Sequence, residues 1–527
     1  MKWSLFFILV LFSPALNAQH AACDILIKNG KIIDGTGNSW YYGNVAIKDG
    51  KIFQIGRDVD LSAKKIIDAD GLVVAPGFID VHTHLEGDET KDLNATNFIL
   101  DGVTTCITGN CGSSNIDIGK YLQWIDSLKL SINVATLIGH NDIRREVMGR
   151  ANRDATADEM QQMKNIVDKA MRDGAVGFST GLIYIPGTYT KTPEIIELAK
   201  ISAKYKGVYA SHMRDEGDSV TEAIDEALTV GREAKIPVEI SHFKLSGQQN
   251  WGRSKETVPM IDAARKEGIE VTIDQYPYTA SSTSISTLIP DEILADGQDS
   301  INARLQKPET RKYVIKSMLE RLKKRKLKHF SYAVVAYFEP DTSYNGKSIE
   351  QINLMKGRKH RAKYEAETVI DLMVLGDASA VFHGMSEEDI KRIMQYPFNM
   401  FASDATIRVL GAGIPHPRGY GTNARVLAEY VRDQHVISLE EAIRRMTSLP
   451  AQKFQLHDRG LLKEGMAADI VIFDEKQVQD ISTYESPHAY SKGFHYVIVN
   501  GVLTVDNEKH NGVRAGKALY GPGKNGN

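Results

Sequence analysis

Two histidines stand one residue apart at the end of an apolar run, in "GFIDVHTHLEGDE" (77–89). Residues two apart on a strand point to the same side, so His82 and His84 would face one site. Four further residues of metal-binding type follow other short apolar runs: Cys111, His212, His242 and Asp404. Imidazole, thiolate and carboxylate groups are the ligands of Zn²⁺. Each residue alone is better explained as a packed or hydrogen-bonded polar group, but together they predict a metal site.

The segment between residues 76 and 450 must position these side chains. Short apolar runs alternate there with helical stretches, which is typical of repeated βα units. The predicted strands are residues 78–84, 103–109, 131–140, 175–180, 207–213, 236–243, 270–278 and 398–404. Eight strands close an α/β fold of the (β/α)₈ TIM-like barrel type, whose catalytic groups lie where strands end. Residues 284–396 are too many for one connection and predict an inserted helical region.

The two ends of the chain have a different pattern. Residues 19–75 and 451–527 contain short runs in which apolar and polar residues alternate. Asn-Gly and Asp-Gly pairs separate the runs in the first segment, and these pairs are strong hairpin signals. We therefore predict an antiparallel unit, a small β-sandwich domain formed from both termini.

Composition and charge restrict the class of protein. The chain has 527 residues, 42% apolar and 25% charged, with a net charge of -3 and three cysteines. This balance does not favour a nucleic-acid partner. Residues 1–18 have a charged start, a short apolar core and small residues near Ala18, as a signal peptide does. We expect an exported protein, periplasmic or secreted, without a membrane span. Lipidation at Cys23 is the less favoured alternative.

Several longer motifs carry a family resemblance. They are "PGFIDVHTH", "GNCG", "GFSTGLIYIPG", "SHMRDE", "ISHFK", "DQYPYTASST" and "PHPRGYGT". Together they resemble the D-aminoacylase branch (N-acyl-D-amino-acid deacylases) of the amidohydrolase superfamily. The resemblance extends over roughly residues 24–520. It implies that Cys111, His212 and His242 hold one zinc ion tightly, and that His82 and His84 match a second, weaker position.

The resemblance also implies roles at the substrate. Asp404, which lies near the second metal position, matches the catalytic acid/base of the family. Other residues match substrate contacts or lie at the same rim: Tyr184, Lys244, Tyr276, Ser282 and Arg418. A guanidinium can bind a substrate carboxylate through two parallel hydrogen bonds, which gives Arg418 a specific use.

Three features leave alternatives open. The family usually has two aspartates after the histidine pair, whereas this chain has "LEGDE". The loop between Asp404 and "PHPR" is also longer than is usual, and both departures leave the acyl and side-chain preference open. Glu86 is the next candidate for the acid/base after Asp404. Asp215 and Glu216 could orient the histidine ligands. We favour the alternative that they are acids near a helix N-terminus, stabilised by the helix dipole.

The sequence thus predicts a zinc-dependent hydrolase that cleaves the acyl amide of small N-acyl-D-amino acids. One alternative is another amidohydrolase reaction, on a dipeptide or a cyclic amide. A different alternative is an inactive protein that uses the barrel to bind a solute. Asp404 argues against this, because a binding protein needs no acid/base.

Overall fold

The structure, a computed structural model, describes residues 22–525. The predicted signal peptide, residues 1–18, lies outside the described residues. Within residues 22–525, no helix combines the length and apolarity needed to cross a bilayer. The strands are β1 (Cys23–Ile32), β2 (Tyr41–Lys48), β3 (Lys51–Gly56), β4 (Ala63–Asp68), β5 (Val73–Pro76), β6 (Phe78–Asp80), β7 (Val103–Thr108), β8 (Asn133–Thr136), β9 (Ile138–Gly139), β10 (Gly177–Gly181), β11 (Val208–His212), β12 (Val238–Ile240), β13 (Val271–Gln275), β14 (Ala280–Ser284), β15 (Ala333–Tyr337), β16 (Ser379–His383), β17 (Asn399–Phe401), β18 (Ile470–Phe473), β19 (Phe494–Val499), β20 (Val502–Asp506) and β21 (Lys509–His510). The α-helices are α1 (Thr96–Ile99), α2 (Ile118–Leu128), α3 (His140–Met148), α4 (Ala157–Asp173), α5 (Thr192–Lys204), α6 (Val220–Ala234), α7 (Ser254–Lys266), α8 (Gln298–Gln306), α9 (Pro308–Lys324), α10 (Ile349–Met355), α11 (Ala362–Leu375), α12 (Glu387–Met394), α13 (Arg418–Arg425), α14 (Leu439–Met446) and α15 (Ser448–Lys453).

Strands from the two ends of the chain form one nine-stranded sheet. Its order is β21-β20-β19-β18-β5-β1-β2-β3, and β4 pairs with β1. The join between the two ends is the antiparallel pair of β5 and β18. The predicted antiparallel pairing is only partly correct, because β1 runs parallel to both β4 and β5. Hairpin signals specify only neighbouring strands, whereas the ten-residue β1 is long enough to pair with several partners.

This sheet packs on both of its faces. Ile470 and Ile472 of β18 belong to a core cluster formed with the isoleucines and valines of β1 and β2. Val471 and Phe473, which point the other way, belong to the large core cluster shared with the parallel strands. The period-2 alternation of strand side chains therefore fixes the terminal sheet against the remainder of the chain.

The parallel strands occupy all eight predicted positions. They pair in the orders β6-β7-β8 and β9-β10-β11-β12-β13-β17. Helices lie between successive strands, except that β8 and β9 are separated by one residue and share one predicted position. A parallel bridge between Thr83 and Ala405 joins the chain after β6 to the chain after β17. The Asp404 N–H also donates to the His82 carbonyl over 2.9 Å. Beside this join, the backbone N–H groups of His82 and Ser403 both donate to the buried Asp80.

The sequence predicted a helical inserted region, but this region is only partly helical. Besides α8 to α12, it contains an antiparallel three-stranded sheet in the order β14-β16-β15. The strand β14 reads "ASSTS", so it lacks the apolar alternation by which strands are recognised. Its pairing to β16 supplies the missing stabilisation and holds Ser282 opposite Val381. As a consequence, β14 lies at the rim where the parallel strands end.

Candidate active site

The Cys111 thiol lies at the centre of three imidazoles. Its Sγ atom is 3.3 Å from His82 Nε2, 3.4 Å from His212 Nδ1 and 3.6 Å from His242 Nε2. All four side chains are buried. Chain segments that follow β6, β7 and β12, and the last residue of β11, supply these groups, so the ends of four strands meet around one sulfur atom.

Asp404 extends the cluster toward the remaining predicted histidine. Its Oδ1 atom is 3.2 Å from His84 Nε2 and 3.7 Å from His82 Nε2. Two groups of metal-type donors therefore overlap: Cys111 with His212 and His242, and Cys111 with the His82 and His84 pair. The structure brings all six predicted metal-site residues together.

Three of these residues adopt a backbone conformation that ordinary side chains seldom take. The φ angle is 53° at Cys111, 36° at His242 and 49° at Asp404. Left-handed residues cannot continue a strand, which explains why β7, β12 and β17 end before them. Non-glycine residues in such conformations cluster at functional sites. In the "GNCG" motif, Gly112 is required, because a Cβ atom there would lie 2.2 Å from Asn141 Oδ1.

Buried carboxylates orient two of the imidazoles. Glu216 Oε1 is 2.8 Å from His242 Nδ1, and Asp274 Oδ2 is 3.3 Å from His82 Nδ1. Each carboxylate can accept a hydrogen bond from the N–H of the outer ring nitrogen, which leaves the inner nitrogen free as a ligand. The preference for a helix-terminal role is therefore wrong for Glu216. Helix α6 begins only at Val220. The Glu216 carboxylate instead binds Lys244, which lies beside His242.

The protonation states also suit a metal ion. Burial would raise the pKa of the Cys111 thiol, but the imidazoles of His82 and His212 hold it well below its usual value. A thiolate is the form of cysteine that binds metals. Burial would likewise raise the pKa of Glu216, but Lys244 and His242 hold it well below its ordinary range. A thiolate close to three imidazoles, with carboxylates behind two of them, is a ligand set that fits a divalent metal ion of intermediate softness.

A cavity of ≈ 240 Å³ opens above this cluster. Every predicted site residue except His82 contributes to its wall, together with several residues not predicted. The lining residues are His84, Cys111, Ile183, Tyr184, His212, Glu216, His242, Lys244, Tyr276, Ser281, Ser282, Thr283, Asp404, Ala405, Thr406, Arg408 and Arg418. His82 lies beneath the cavity floor, fully buried. The metal-type donors and the predicted substrate contacts thus share one space.

Arg418 forms the part of the cavity wall beside Asp404. Its Nη1 atom lies 2.8 Å from Asp404 Oδ2 as an ion pair, and its Nη2 atom donates to the Ser282 carbonyl over 3.2 Å. The guanidinium carbon lies 4.5 Å from the centre of the Tyr276 ring. Arg418 is buried, so these contacts hold its fork in one orientation.

Polar groups around this cavity remain without protein partners. Among residues 22–525, no group is positioned to accept a hydrogen bond from the Tyr276 hydroxyl or from Arg408 Nε. Buried donors are ordinarily satisfied, so this concentration indicates space for a ligand that accepts hydrogen bonds. The sequence analysis missed Arg408. Its position in the long loop "ATIRVLGAGI" was the available signal.

The other predicted residues have protein partners. The hydroxyls of Tyr184 and Thr283 share a hydrogen bond of 3.0 Å. Lys244 binds Glu216 and lies 2.9 Å from His242 Nδ1, so its ammonium is engaged behind the metal-type cluster. Glu86 accepts hydrogen bonds from Thr108 Oγ1 and Gly109 N–H at 2.7 and 2.6 Å, outside the cavity wall. The roles of these residues at a substrate stay predictions.

Comparison with known proteins places this site in a family. The sequence model of the Amidohydrolase family matches residues 65–330 and 360–505, which contain all the site residues described above. The chain belongs to the amidohydrolase family. The resemblance inferred from the motifs is thereby confirmed.

Relatives of known activity match along nearly the whole chain. A D-aminoacylase from Alcaligenes xylosoxydans xylosoxydans is 33% identical over 519 residues, which cover 94% of this chain and 97% of the relative. An N-acyl-D-glutamate deacylase from the same organism is 33% identical over 500 residues, 91% of this chain and 93% of the relative. A solved N-acyl-D-glutamate deacylase from Bordetella bronchiseptica superposes with a TM-score of 0.80 at 32% identity. The match covers 94% of this chain and 99% of that one. That structure contains zinc and a phosphonate inhibitor that mimics the tetrahedral intermediate.

Proposed function

We propose that this protein is a zinc-dependent hydrolase that cleaves the acyl amide bond of N-acyl-D-amino acids. One observation carries the proposal: a thiolate-centred cluster of metal ligands and unpartnered hydrogen-bond donors face the same ≈ 240 Å³ cavity. The activities named for the two relatives and the zinc in the solved relative support it. The products would be a carboxylate and a free D-amino acid.

Cys111 and the imidazoles around its sulfur atom would hold the metal. Cys111, His212 and His242 would form the tight position, and His82 with His84 the weaker one. When bound, zinc supplies Lewis acidity, which polarises an amide carbonyl and promotes ionisation of water near neutral pH. The protein fixes the ligands in place through Glu216 and Asp274, whose carboxylates hold the imidazoles in the required tautomers.

Asp404 would move the proton that amide hydrolysis requires. Burial would raise its pKa, but Arg418 and the neighbouring histidines hold the pKa well below the ordinary range, so the carboxylate is ionised. An ionised carboxylate beside the metal cluster can accept a proton from the attacking water. It can then donate this proton to the leaving nitrogen, which departs as a neutral amine.

The part of the cavity wall formed by Arg418 and Tyr276 would recognise the carboxylate of the substrate. Arg418 presents a planar guanidinium that its contacts with Ser282 and Tyr276 hold in one orientation. This guanidinium, and the Tyr276 hydroxyl that has no acceptor among the described residues, can both donate to a carboxylate. Anchoring the carboxylate while the acyl carbonyl meets the metal leaves one direction for the side chain, so one enantiomer is favoured.

We further propose that the parallel strands close as a (β/α)₈ barrel and that the terminal strands form a β-sandwich beside it. The bridge between Thr83 and Ala405 supports closure, because it joins the first strand of the order to the last. The boundaries 19–75, 76–450 and 451–527 follow from this division. Export through residues 1–18 rests on their composition, and is testable by cell fractionation and sequencing of the mature N-terminus.

An assay of substrate classes tests the proposed reaction. Zinc-reconstituted protein would be given N-acetyl-D-amino acids, D-dipeptides and cyclic amides at matched concentrations, with release of free amine as the readout. Preferential cleavage of the N-acetyl-D-amino acids supports the proposal. Preferential cleavage of either other class would assign a different amidohydrolase reaction, and binding without cleavage would indicate a solute-binding protein.

A further inference from the structure

The inserted region contains a second cluster of metal-type side chains, distant in sequence from the cavity. Its members are His329, Glu350, His360 and Glu365. One ligand atom from each lies within 4.8 Å of the corresponding atom of the others. His329 Nδ1 is 2.6 Å from Glu365 Oε1 and 3.6 Å from Glu350 Oε1, and His360 Nε2 also contacts Glu350 Oε1. The cluster joins three separate chain segments.

The fold positions these four groups at one point. Glu350 lies in the first turn of α10, which a capping box at Ser348 fixes, and Glu365 lies in the first turn of α11. His360 is in the loop between the two helices, and His329 is in the loop that precedes β15. Glu365 is fully buried, whereas the side chain of His360 is 52% exposed. An ion could therefore enter from solvent and meet a buried carboxylate.

Two separate histidine–glutamate ion pairs explain this arrangement poorly. The two imidazole rings stack with centroids 4.2 Å apart and an interplanar angle of 23°. Protonating both rings for pairing would place two like charges in contact, which is unfavourable. Moreover, one oxygen of Glu350 faces nitrogen atoms of both rings. A divalent cation would satisfy all four donors at once and keep both imidazoles neutral.

We propose that His329, Glu350, His360 and Glu365 form a structural zinc site. Two imidazoles and two carboxylates are zinc ligands, and bond lengths of about 2.0–2.2 Å require tetrahedral ligand atoms to be roughly 3.3 Å apart. Movements of about 1 Å at the more exposed side chains would bring the present donors to that spacing. The site is independent of the proposed hydrolysis, and nothing in the reaction requires it.

A metal ion here would stiffen one wall of the approach to the active site. Glu365 Oε2 accepts a hydrogen bond from Phe330 N–H over 2.8 Å. Phe330 and Tyr332 line a cavity of ≈ 600 Å³ that shares Glu216 and Thr283 with the active-site cavity. Fixing His329 would therefore fix the segment that carries this wall.

Metal counting on the full-length protein tests the site. Wild type, His360→Ala and Glu350→Gln would be dialysed against the same zinc buffer and analysed for zinc per chain. His495→Ala is the matched control, because His495 also faces a glutamate, Glu508, at 3.9 Å but without a second pair. We expect one zinc ion fewer in the two site variants and no change in the control. Equal zinc content in all four proteins would overturn the proposal.

Cobalt substitution separates this site from the active site. Only the active-site cluster contains a thiolate, so the sulfur-to-cobalt charge-transfer band reports Cys111 alone. The proposal predicts that His360→Ala keeps this band and loses cobalt absorption that lacks thiolate character. Added zinc should also raise the melting temperature of wild type more than that of His360→Ala. Loss of the thiolate band with unchanged remaining absorption, or equal stabilisation of both proteins, would contradict the assignment.

Discussion

Arg418 and Asp404, which both line the active-site cavity, form an ion pair with Arg418 Nη1 2.8 Å from Asp404 Oδ2. The sequence predicted separate roles for the two residues, as substrate anchor and as acid/base. In the structure they are in contact, so one guanidinium can hold both the Asp404 carboxylate and the carboxylate of a substrate. Substitution of Arg418 should therefore change substrate binding and proton transfer together.

Arg418→Ala should lower kcat/KM for N-acetyl-D-amino acids by roughly 30-fold or more. Removing one partner of a buried charge pair costs about 2–5 kcal/mol, and each 1.36 kcal/mol is about tenfold. Substrates whose carboxylate is masked as an amide should be poor for wild type and lose little more in the variant. Steady-state kinetics on both substrate forms provides the measurement. An unchanged kcat/KM would remove Arg418 from substrate recognition.

Arg418→Lys is the matched control for the effect of charge. The guanidinium depresses the pKa of Asp404, so its loss in Arg418→Ala should raise that pKa and move the acidic limb of kcat/KM to higher pH. Lysine keeps the positive charge but loses the two-pronged geometry. Its acidic limb should stay nearer that of wild type while kcat/KM remains reduced. Identical pH profiles for wild type and Arg418→Ala would show that the ion pair does not govern Asp404.

Asp404→Asn should lower kcat by roughly 10²–10⁴-fold, the range of general acid–base contributions, with the tight metal retained. Asparagine preserves the shape of the side chain but cannot accept the proton. Glu86→Gln is the comparison, because Glu86 is occupied by Thr108 and Gly109 and lies outside the cavity wall. We expect a smaller loss in Glu86→Gln. A near wild-type kcat in Asp404→Asn would show that another residue is the acid/base, and Glu86 would be tested next.

Cys111→Ser should abolish most activity and lower bound zinc, since a hydroxyl is a much poorer ligand than a thiolate. His82→Ala should keep more metal than His242→Ala, because we assign His82 to the weaker position. Zinc analysis of the three purified variants, with circular dichroism to verify folding, checks the assignment. Equal zinc retention in all three would contradict a tight position formed by Cys111, His212 and His242.

Glu216→Gln should weaken zinc binding by roughly 10–100-fold, the range found when a hydrogen-bond partner of a metal-binding histidine is removed. The carboxylate beside His242 Nδ1 favours the tautomer with a free Nε2 atom. Asp215→Asn is the control, because the neighbouring Asp215 does not line the active-site cavity. Competitive chelator titration gives the affinities. A similar loss in both variants would indicate a general structural effect instead.

The sequence was sufficient to predict the positions of the parallel strands and the residues that converge at their ends. Each predicted strand is a short apolar run, and β6, β7, β11, β12 and β17 end at or shortly before a residue of metal-binding type. The rings of His82 and His84 lie close together, with centroids 5.2 Å apart, although β6 ends at Asp80 and both residues follow it. What the sequence indicated least well was the termination of strands, since the left-handed conformations at His242 and Asp404 depend on tertiary contacts.

Other features depended on partners remote in the chain. Glu216 was assigned to a helix end because its contact with His242 spans two strands. Asp274 was not singled out, although its spacing from Tyr276 would have suggested the same side of β13. The sheet in the inserted region escaped prediction because β14 is polar and is stabilised only through β16. The parallel pairing of β1 with β4 and β5 was also missed, because it depends on strands that do not follow β1 directly in the chain.

Stereoselective hydrolysis tests the central claim most directly. The same zinc-reconstituted preparation would be assayed on N-acetyl-D- and N-acetyl-L-amino acids with matched side chains, by measuring release of the free amino acid. With Arg418 holding the carboxylate and the acyl carbonyl at the metal cluster, an L substrate must direct its side chain into the cavity wall. We predict much higher kcat/KM for the D isomers. Equal rates for both enantiomers, or no hydrolysis of the D isomers, would contradict the account.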